Sequence, residues 1–362
     1  MPKSVSISKV DGKPGQVYYP LSLDEVPKPT PKGTEVLVQV HAAALNHRDL
    51  FIRQALYPAI GFGVPLLADG VGTVVGLGPL ADSQWKGKRV ILNPGTGWKD
   101  DLDGPEDPKG YQILGGTKTS PIGTLQEYLV TDQSELEVAP SHLSNAEAAA
   151  LPLTGLTAWR ATVVKCGERN LQPGRNVLIT GIGGGVALMA LEFAKASGAN
   201  VFVTSGDEQK IKKAIALGAK GGVNYKDKDW DKKLQALLPA QNKLLDAIID
   251  GAGSDVVSRG SKLLKNGGII SVYGMTVSPK MPFLMQAVLK NIEVKGSTMG
   301  SRKEFKEMVD FIREKKVHTV VSRTVQGLDL AAINTLFDDM HKGSQFGKLV
   351  VEIPAGTSTS KL

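Results

Sequence analysis

Cysteine is almost absent. The single Cys166 among 362 residues excludes an intramolecular disulfide and any zinc site built from several thiolates, and it fits a compartment in which folding does not depend on disulfides. Long hydrophobic runs are missing as well. No stretch approaches the roughly 20 apolar residues of a membrane span, and Met1-Pro2-Lys3-Ser4 leads into no hydrophobic signal core. No internal repeat or low-complexity tract is present. Charged residues at 22%, with 41 Gly and 20 Pro, describe an ordered globular chain with many tight turns and exclude disordered, collagen-like and coiled-coil classes. Acidic residues are the minority sign: 43 Lys+Arg against 36 Asp+Glu leave a net charge of +7. That balance favours anionic partners. A phosphate-bearing cofactor satisfies it as well as nucleic acid would, and the lysines are spread along the chain, which argues against nucleic acid.

The length is about twice the common domain size, so two domains are expected, each with a core from the 41% hydrophobic content. The first 150 residues read as β-rich. Residues 35–42 alternate apolar and polar, 70–78 form a Val/Gly-rich strand and turn, and 89–92 and 127–130 add short strands bounded by Gly and Pro. Residues 95–110, rich in Asp, Gly and Pro, read as a surface excursion. An Ala-rich helical region begins at Ala146 and runs toward Trp159 and Arg160. Short apolar strands at 176–181, 201–205, 223–225, 244–250, 269–273 and 292–295 then alternate with helical patterns. Such alternation means a parallel sheet covered on both faces. A helix over 303–315 leads back to β-like text, including 348–353, so the tail is expected to rejoin the first domain. The fold class is α/β.

The strongest local signal is the strand Val177-Leu178-Ile179-Thr180, running into Gly181-Ile182-Gly183-Gly184-Gly185-Val186-Ala187 and then helical text in which Val186, Met189, Ala190, Phe193 and Ala194 form one stripe. Glycines suit a backbone that turns sharply, approaches a pyrophosphate and starts a helix with its N-terminal amides facing negative charge. The spacing departs from the usual fingerprint: with Ala187 as the last small residue, Gly184 is in the middle and Ile182 stands first. Near the end of the second strand, where an acid would bind the ribose 2′-hydroxyl of NAD, the chain has Ser205, with Lys210, Lys212 and Lys213 close behind. Ser205 leaves room for a phosphate and points to NADPH. Asp207 is a possible NAD-type acid, although its place before a helix suits an N-cap, and the lysines could equally be a solvated face.

Over essentially its whole length the sequence resembles the medium-chain dehydrogenase/reductase superfamily, and specifically the zinc-independent quinone oxidoreductase and enoyl reductase branch. The segments that carry this are Asn46-His47-Arg48-Asp49 with Tyr57-Pro58, Ala68-Asp69-Gly70-Val71-Gly72-Thr73-Val74, residues 123–128, residues 151–159 and Gly347-Lys348-Leu349-Val350. The resemblance implies a GroES-like substrate domain over 1–150, completed by 300–362, around a Rossmann NADP-binding domain over 151–299. It also implies Thr157 and Gly274 near the nicotinamide, Gly183, Gly184, Gly185, Val186 and Gly253 in the cofactor cradle, Lys210 and Tyr225 at the 2′-phosphate, Lys348 at the cofactor, and a homodimer. Zinc-dependent members hold a catalytic metal with two Cys and a His; the matching positions here are Asn46, Ala68 and Leu153, and the 95–110 segment lacks the four cysteines of their structural lobe. His47 and Asp49 then read as hydrogen-bonding scaffold, and no metal site is expected.

Without a Lewis acid a conjugated substrate is the easier one, because hydride delivered to the β-carbon of a quinone, enone or enoyl thioester pushes charge onto an oxygen that hydrogen-bond donors can stabilise. Asn46 and Tyr57 are the candidate donors. By resemblance a tyrosine in the Tyr-Pro segment is a proton donor, and its alternative is an aromatic wall. A metal-free carbonyl or alcohol dehydrogenase is the next reading, and a catalytically weak NADPH-binding, redox-sensing or structural protein the third. His142, His318 and His341 read as surface residues with no paired carboxylate, and Cys166 has no nucleophile signature. The terminal Ser360-Lys361-Leu362 matches the address read by the peroxisomal import receptor, which predicts a peroxisomal protein, a cytoplasmic one being the alternative.

Overall fold

The computed structural model describes residues 1–276 and 280–354. Ser360-Lys361-Leu362, and the import expectation attached to them, lie outside the described residues. Two compact units divide the chain, one from Met1–Leu153 together with the chain from Ser301 onward, the other from Thr154–Gly300.

The first unit is mainly antiparallel sheet. Strands β1 (Lys3–Ile7) and β2 (Leu21–Glu25) pair as a ribbon. The long β3 (Glu35–Ala44) is followed by α1 (His47–Arg53), β4 (Asp69–Leu77), β5 (Arg89–Leu92), the small ribbon β6 (Gly95–Thr96) and β7 (Gln112–Ile113), then β8 (Tyr128–Asp132), β9 (Leu136–Val138) and helix α2 (Asn145–Ala150). Strand β3 organises the sheet because its alternation buries Val36, Val38 and Val40 in the unit's core. Strand β4 lines one edge of β3, while the other edge is shared by β8 along Glu35–Gln39 and by the late strand β17 (Lys348–Glu352) along Ala42–Ala44. The end of the chain thus completes the sheet begun by its start. Lys348 opens β17, Asp69 opens β4 opposite Ala44, and Asn46 lies two residues past the end of β3.

After Gly300 come α9 (Arg302–Lys315), β16 (Val321–Gln326) and α10 (Leu330–Lys342). Helix α10 stands where β-like text is expected. Asp329 accepts the amides of Ala331 and Ala332, Gly343 at φ +62° closes the other end, and Ile333, Leu336, Phe337 and Met340 enter the same core as β3. Strand β16 falls in the β-like text expected after the 303–315 helix, whereas β1 and β2 are absent from the sequence expectations.

Helix α3 (Pro152–Trp159) and a π-helical stretch Arg160–Lys165 lead into the second unit, so the helical region expected from Ala146 is a series of short pieces. Its sheet is six parallel strands, β10 (Asn176–Ile179), β11 (Asn200–Ser205), β12 (Gly221–Asn224), β13 (Leu245–Asp250), β14 (Leu264–Val272) and β15 (Glu293–Gly296), in the order β12-β11-β10-β13-β14-β15. Helices α4 (Gly185–Ala196), α5 (Glu208–Ala216), α6 (Trp230–Leu237), α7 (Val256–Leu263) and α8 (Met285–Leu289) fill the crossovers. This is a doubly wound Rossmann sheet. Its order reverses between β10 and β13, and the crevice beyond their carboxyl ends is where such sheets take ligands. Every residue of β10 and β13 is buried, as continuous apolar strands covered on both faces must be. Helix α4 is buried more fully than its stripe suggests, because Leu188 and Leu191 are covered along with Met189, Ala190, Phe193 and Ala194, whereas Val186 is only half-buried. Phe193 meets Trp159 edge to face at 5.4 Å, and Gly198 at φ +101° lets the chain turn off the helix.

Candidate active site

Three residues far apart in sequence meet in the first unit. Asn46 Nδ2 donates to Asp69 Oδ2 at 2.9 Å, and Lys348 Nζ donates to Asn46 Oδ1 at 2.5 Å and to Asp69 Oδ2 at 2.8 Å. The other oxygen of Asp69 accepts the Leu153 amide at 2.8 Å, and its backbone carbonyl accepts from the Thr124 hydroxyl at 2.8 Å. Asp69 is fully buried, Lys348 is 5% exposed and Asn46 is 6% exposed. A buried carboxylate and ammonium are tolerated together because each neutralises the other and every remaining oxygen lone-pair direction in use meets a donor.

The α1 turn supports this group. Asp49 accepts the Asn46 backbone amide at 2.7 Å, which fixes where Asn46 leaves the helix start. Burial pushes the Asp49 carboxyl up to about 6, against the lowering pull of Arg48, the Asn46 amide and Lys348. Arg48 is clamped by the carbonyls of Leu114 at 2.7 Å and Gly115 at 3.0 Å, and its guanidinium lies 4.8 Å from the centroid of the Tyr57 ring. Tyr57 is half-buried, and its hydroxyl makes no hydrogen bond among the described residues. His47 is exposed beside Phe51. The three positions that match zinc ligands hold little that could bind a metal. Ala68 and Leu153 have no donor atoms in their side chains, and both ends of the Asn46 carboxamide are engaged. The strongest nearby oxygen donor, Asp69, is occupied by an ammonium. Among the described residues no group of three or more His, Cys, Asp and Glu could hold an ion. In the 95–110 excursion, Glu106 gathers the amides of Lys99, Asp100 and Asp101 at 2.7–2.8 Å, which pulls its carboxyl down to about 2. A carboxylate organises this loop, within which Trp98 is buried and donates its indole N–H to the Asp101 carbonyl at 2.8 Å.

The second unit carries the glycine turn at the end of β10. Gly181 and Gly183 have φ of +65° and +124°, conformations that side chains resist. Gly184 is the N-cap of α4 at φ −78°, and a Cβ built on it would meet nothing within 4 Å. Gly185 and Val186 form the first turn. The Lys210 stem lies over Gly183, so close that a Cβ there would come within 2.8 Å of Lys210 Cδ. Partial burial lowers the Lys210 pKa, Asp207 opposes that and Lys213 adds to it. Lys212 and Lys213 are exposed. Ser205 is buried at the end of β11, its hydroxyl accepting the Asp207 amide at 3.2 Å, and Asp207 caps α5 by accepting from Gln209 at 2.8 Å. Tyr225 follows β12; its hydroxyl and the Lys226 stem each come within 2.8 Å of a Cβ built on Gly206. Ser205, Gly206, Lys210, Tyr225 and Lys226 therefore gather around one corner of the sheet's carboxyl end. Sequence reasoning missed Lys226.

It also missed Asp250. That carboxylate accepts from the Thr180 hydroxyl at 2.5 Å and from the amides of Ala252 and Gly253 at 3.0 Å, joining the ends of β10 and β13 across the point where the sheet order reverses. Burial raises its pKa. Gly253 sits at φ +75° in this loop, and Gly274 packs against Gly251, with 3.3 Å between a built Cβ and the Gly251 carbonyl. Thr157 is buried with its hydroxyl 3.6 Å from Met299 Sδ. Cys166 is wholly buried and its thiol is pushed up to about 12 by that burial. His318 is exposed, as expected, but pairs with the carboxylate of Glu147 at 2.6 Å, and the surface expectation for His142 is corrected, since it is half-buried with Nε2 on the Val317 carbonyl at 2.9 Å. The Glu147 partner lies 171 residues away, beyond any local pattern.

The chain matches two family models, "Alcohol dehydrogenase GroES-like domain" over residues 32–142 and "Zinc-binding dehydrogenase" over residues 185–314. It is 52% identical to the zinc-type alcohol dehydrogenase-like protein YogA of Leptosphaeria maculans, covering 98% of this chain and all of that one. It is 33% identical to the zinc-type alcohol dehydrogenase-like protein C1773.06c of Schizosaccharomyces pombe, over 91% of this chain and 93% of that one. A solved NAD-dependent alcohol dehydrogenase superimposes with a TM-score of 0.82 at 34% identity, covering 98% of this chain and all of that one. With this fold and glycine turn, the chain belongs to the medium-chain dehydrogenase/reductase superfamily and is an oxidoreductase of that family.

Proposed function

We propose that the protein uses NADPH, without zinc, to reduce the activated double bond of a quinone, enone or enoyl thioester. The observation that carries this reading is the hydrogen-bonded Asn46–Asp69–Lys348 group, which fills the metal-ligand region with a held carboxamide and an ammonium. The donor set does not fit zinc, so no step runs through a metal. The turn at Gly181–Gly185 does fit a dinucleotide. Gly184 leaves open space before the α4 N-terminus, whose free amides and dipole suit the pyrophosphate. Ser205, Lys210, Tyr225 and Lys226 suit a 2′-phosphate, where an acid would repel it. Thr157, Gly253 and Gly274 would border the rest of the cofactor.

When bound, NADPH supplies the hydride. Asn46 Nδ2 keeps one N–H beyond its bond to Asp69, and that N–H would meet the oxygen on which charge develops. Tyr57, braced on Arg48 with its hydroxyl uncommitted, would deliver the proton. Asp49 holds the helix start from which Asn46 is presented.

The test is NADPH and NADH consumption at 340 nm with quinones, enones and enoyl-CoAs, alongside elemental analysis of the purified protein. Turnover with NADPH at well below one zinc per chain is expected. Faster turnover with NADH, or one zinc per chain, would overturn the corresponding part. A second reading, carbonyl reduction, draws on the alcohol dehydrogenase names of the relatives, and it gains if simple aldehydes outpace the conjugated panel.

A further inference from the structure

We propose that Lys348 is a positioning residue for this reaction: its buried ammonium locks the Asn46 carboxamide in the donor orientation and polarises it. The inference rests on the functional reading above, in which Asn46 meets the substrate oxygen. It assigns Lys348 a task other than holding the cofactor, the role that resemblance implies.

Hydrogen-bond chemistry fixes the orientation. An ammonium only donates and an ionised carboxylate only accepts. Lys348 Nζ lies 2.5 Å from one end of the Asn46 amide, and Asp69 Oδ2 lies 2.9 Å from the other. The end facing lysine must therefore be oxygen and the end facing aspartate nitrogen. Flipping the amide would set N–H against N–H on one side and oxygen against oxygen on the other. The group is a closed ring of three contacts, because Lys348 and Asp69 are themselves 2.8 Å apart. Burial keeps water from competing with any of them. Within that ring the cation draws electron density from Asn46 Oδ1, which strengthens the remaining N–H as a donor.

The ammonium is also the only full positive charge in the ring. It balances Asp69 and keeps one N–H beyond its two recorded bonds. A developing oxyanion beside Asn46 would thus face a carboxamide whose acceptor end is already occupied and a cation one bond further back. A neutral residue at 348 would leave Asp69 uncompensated and Asn46 Oδ1 without its donor, so only one of the two contacts that hold the amide in orientation would remain and its N–H would no longer be polarised by a cation.

The test is a double-mutant cycle on the full-length protein, using the panel acceptor that the wild type reduces fastest. NADPH affinity is read separately by fluorescence titration. Lys348→Met is expected to lower kcat by about 10²–10³-fold, with the NADPH Kd within threefold of wild type. Lys348→Arg should recover at least tenfold of the loss. In an Asn46→Ala background, Lys348→Met should cost less than threefold, because the lysine acts through the amide. A Kd raised tenfold or more with kcat retained overturns the proposal in favour of a cofactor-phosphate lysine, and additive losses overturn it in favour of an independent role. Should Lys348→Met fail to fold, Lys348→Met/Asp69→Asn removes both buried charges together, and a folded double variant with wild-type kcat refutes the idea. A wild type inactive on the whole panel removes the functional reading and this inference with it. An active wild type with an additive cycle removes only the inference.

Discussion

Replacing Gly184 by alanine separates ligand from fold at the glycine turn. Gly184 lies at φ −78°, ψ 154°, a conformation open to any residue, and a Cβ there meets no protein atom within 4 Å. Alanine is a poorer N-cap than glycine by roughly half a kcal/mol, but it also stabilises by about 0.4–1 kcal/mol through the unfolded chain. The two terms offset, so Tm should hold within a few degrees. If the space before α4 receives a pyrophosphate, however, the new methyl occupies it. NADPH Kd should then rise at least tenfold, which is about 1.4 kcal/mol. Gly183→Ala behaves differently. Its φ of +124° costs a side chain about 1–3 kcal/mol, and Lys210 must move from 2.8 Å; this variant should therefore lose stability as well as affinity. Thermal unfolding and NADPH fluorescence titration, run on both variants, read the two quantities independently. A Gly184→Ala protein with wild-type Tm and a Kd within twofold of wild type would show that no phosphate approaches this turn.

Lys210→Ala, and more so Lys210→Ala/Lys226→Ala, should raise the NADPH Kd at least tenfold while changing the NADH Kd less than threefold; equal losses for both would mean the corner does not read the 2′-phosphate. Cys166 should resist iodoacetamide at pH 8 in the native protein and react stoichiometrically in denaturant, since the buried thiol is pushed up to about 12; prompt native labelling refutes its burial. Asp49 titrates near 6 in the fold against 3.8 in the open chain, so the native state holds its proton more tightly and stability should fall as pH rises from about 4 to 6. Its share is at most about 3 kcal/mol, and urea unfolding of Asp49→Asn, which keeps an acceptor for the Asn46 amide, should show a correspondingly flatter profile over that range; an unchanged profile assigns the slope to other groups. Among the described residues strand β15 pairs only with β14, and Phe283, Met285, Leu289 and Val294 nearby are exposed, so light scattering should give twice the chain mass for the wild type and the chain mass for Leu289→Lys/Val294→Lys.

The strands of the Rossmann sheet were legible because strands buried on both faces are continuous apolar runs that need no partner to be recognised; β10, β11 and β13 lie within a residue or two of where the sequence puts them. Helix α10 was not, even though Asp329 and Gly343 mark its ends, because its four buried residues lie among alanines and a β-branched pair that blur the helical period. The glycine turn was legible as a local pattern, and so was the Asp207 cap. Lys226 was hidden because its relation to Gly206 exists only once β11 and β12 pair in parallel, with Ser205 opposite Asn224.

The deepest gap lies in the first unit, and it is one of sequence distance. Asn46 and Asp69 can each be singled out as polar residues beside hydrophobic strands, yet Lys348 is 302 residues from one and 279 from the other. Only the insertion of β17 beside the end of β3 brings its ammonium to them. From sequence, the substitutions at the zinc-ligand positions read as losses: no thiolate, no imidazole, no metal. The fold adds the compensating term. A region whose three matching positions offer no metal donor contains a buried cation, carried on a side chain and tied by hydrogen bonds to the amide that is proposed to meet the substrate. An ammonium polarises less strongly than a divalent ion, and two of its three N–H groups are already committed to Asn46 and Asp69. A site so equipped is better matched to charge spread over a conjugated system than to charge concentrated on one alcohol oxygen.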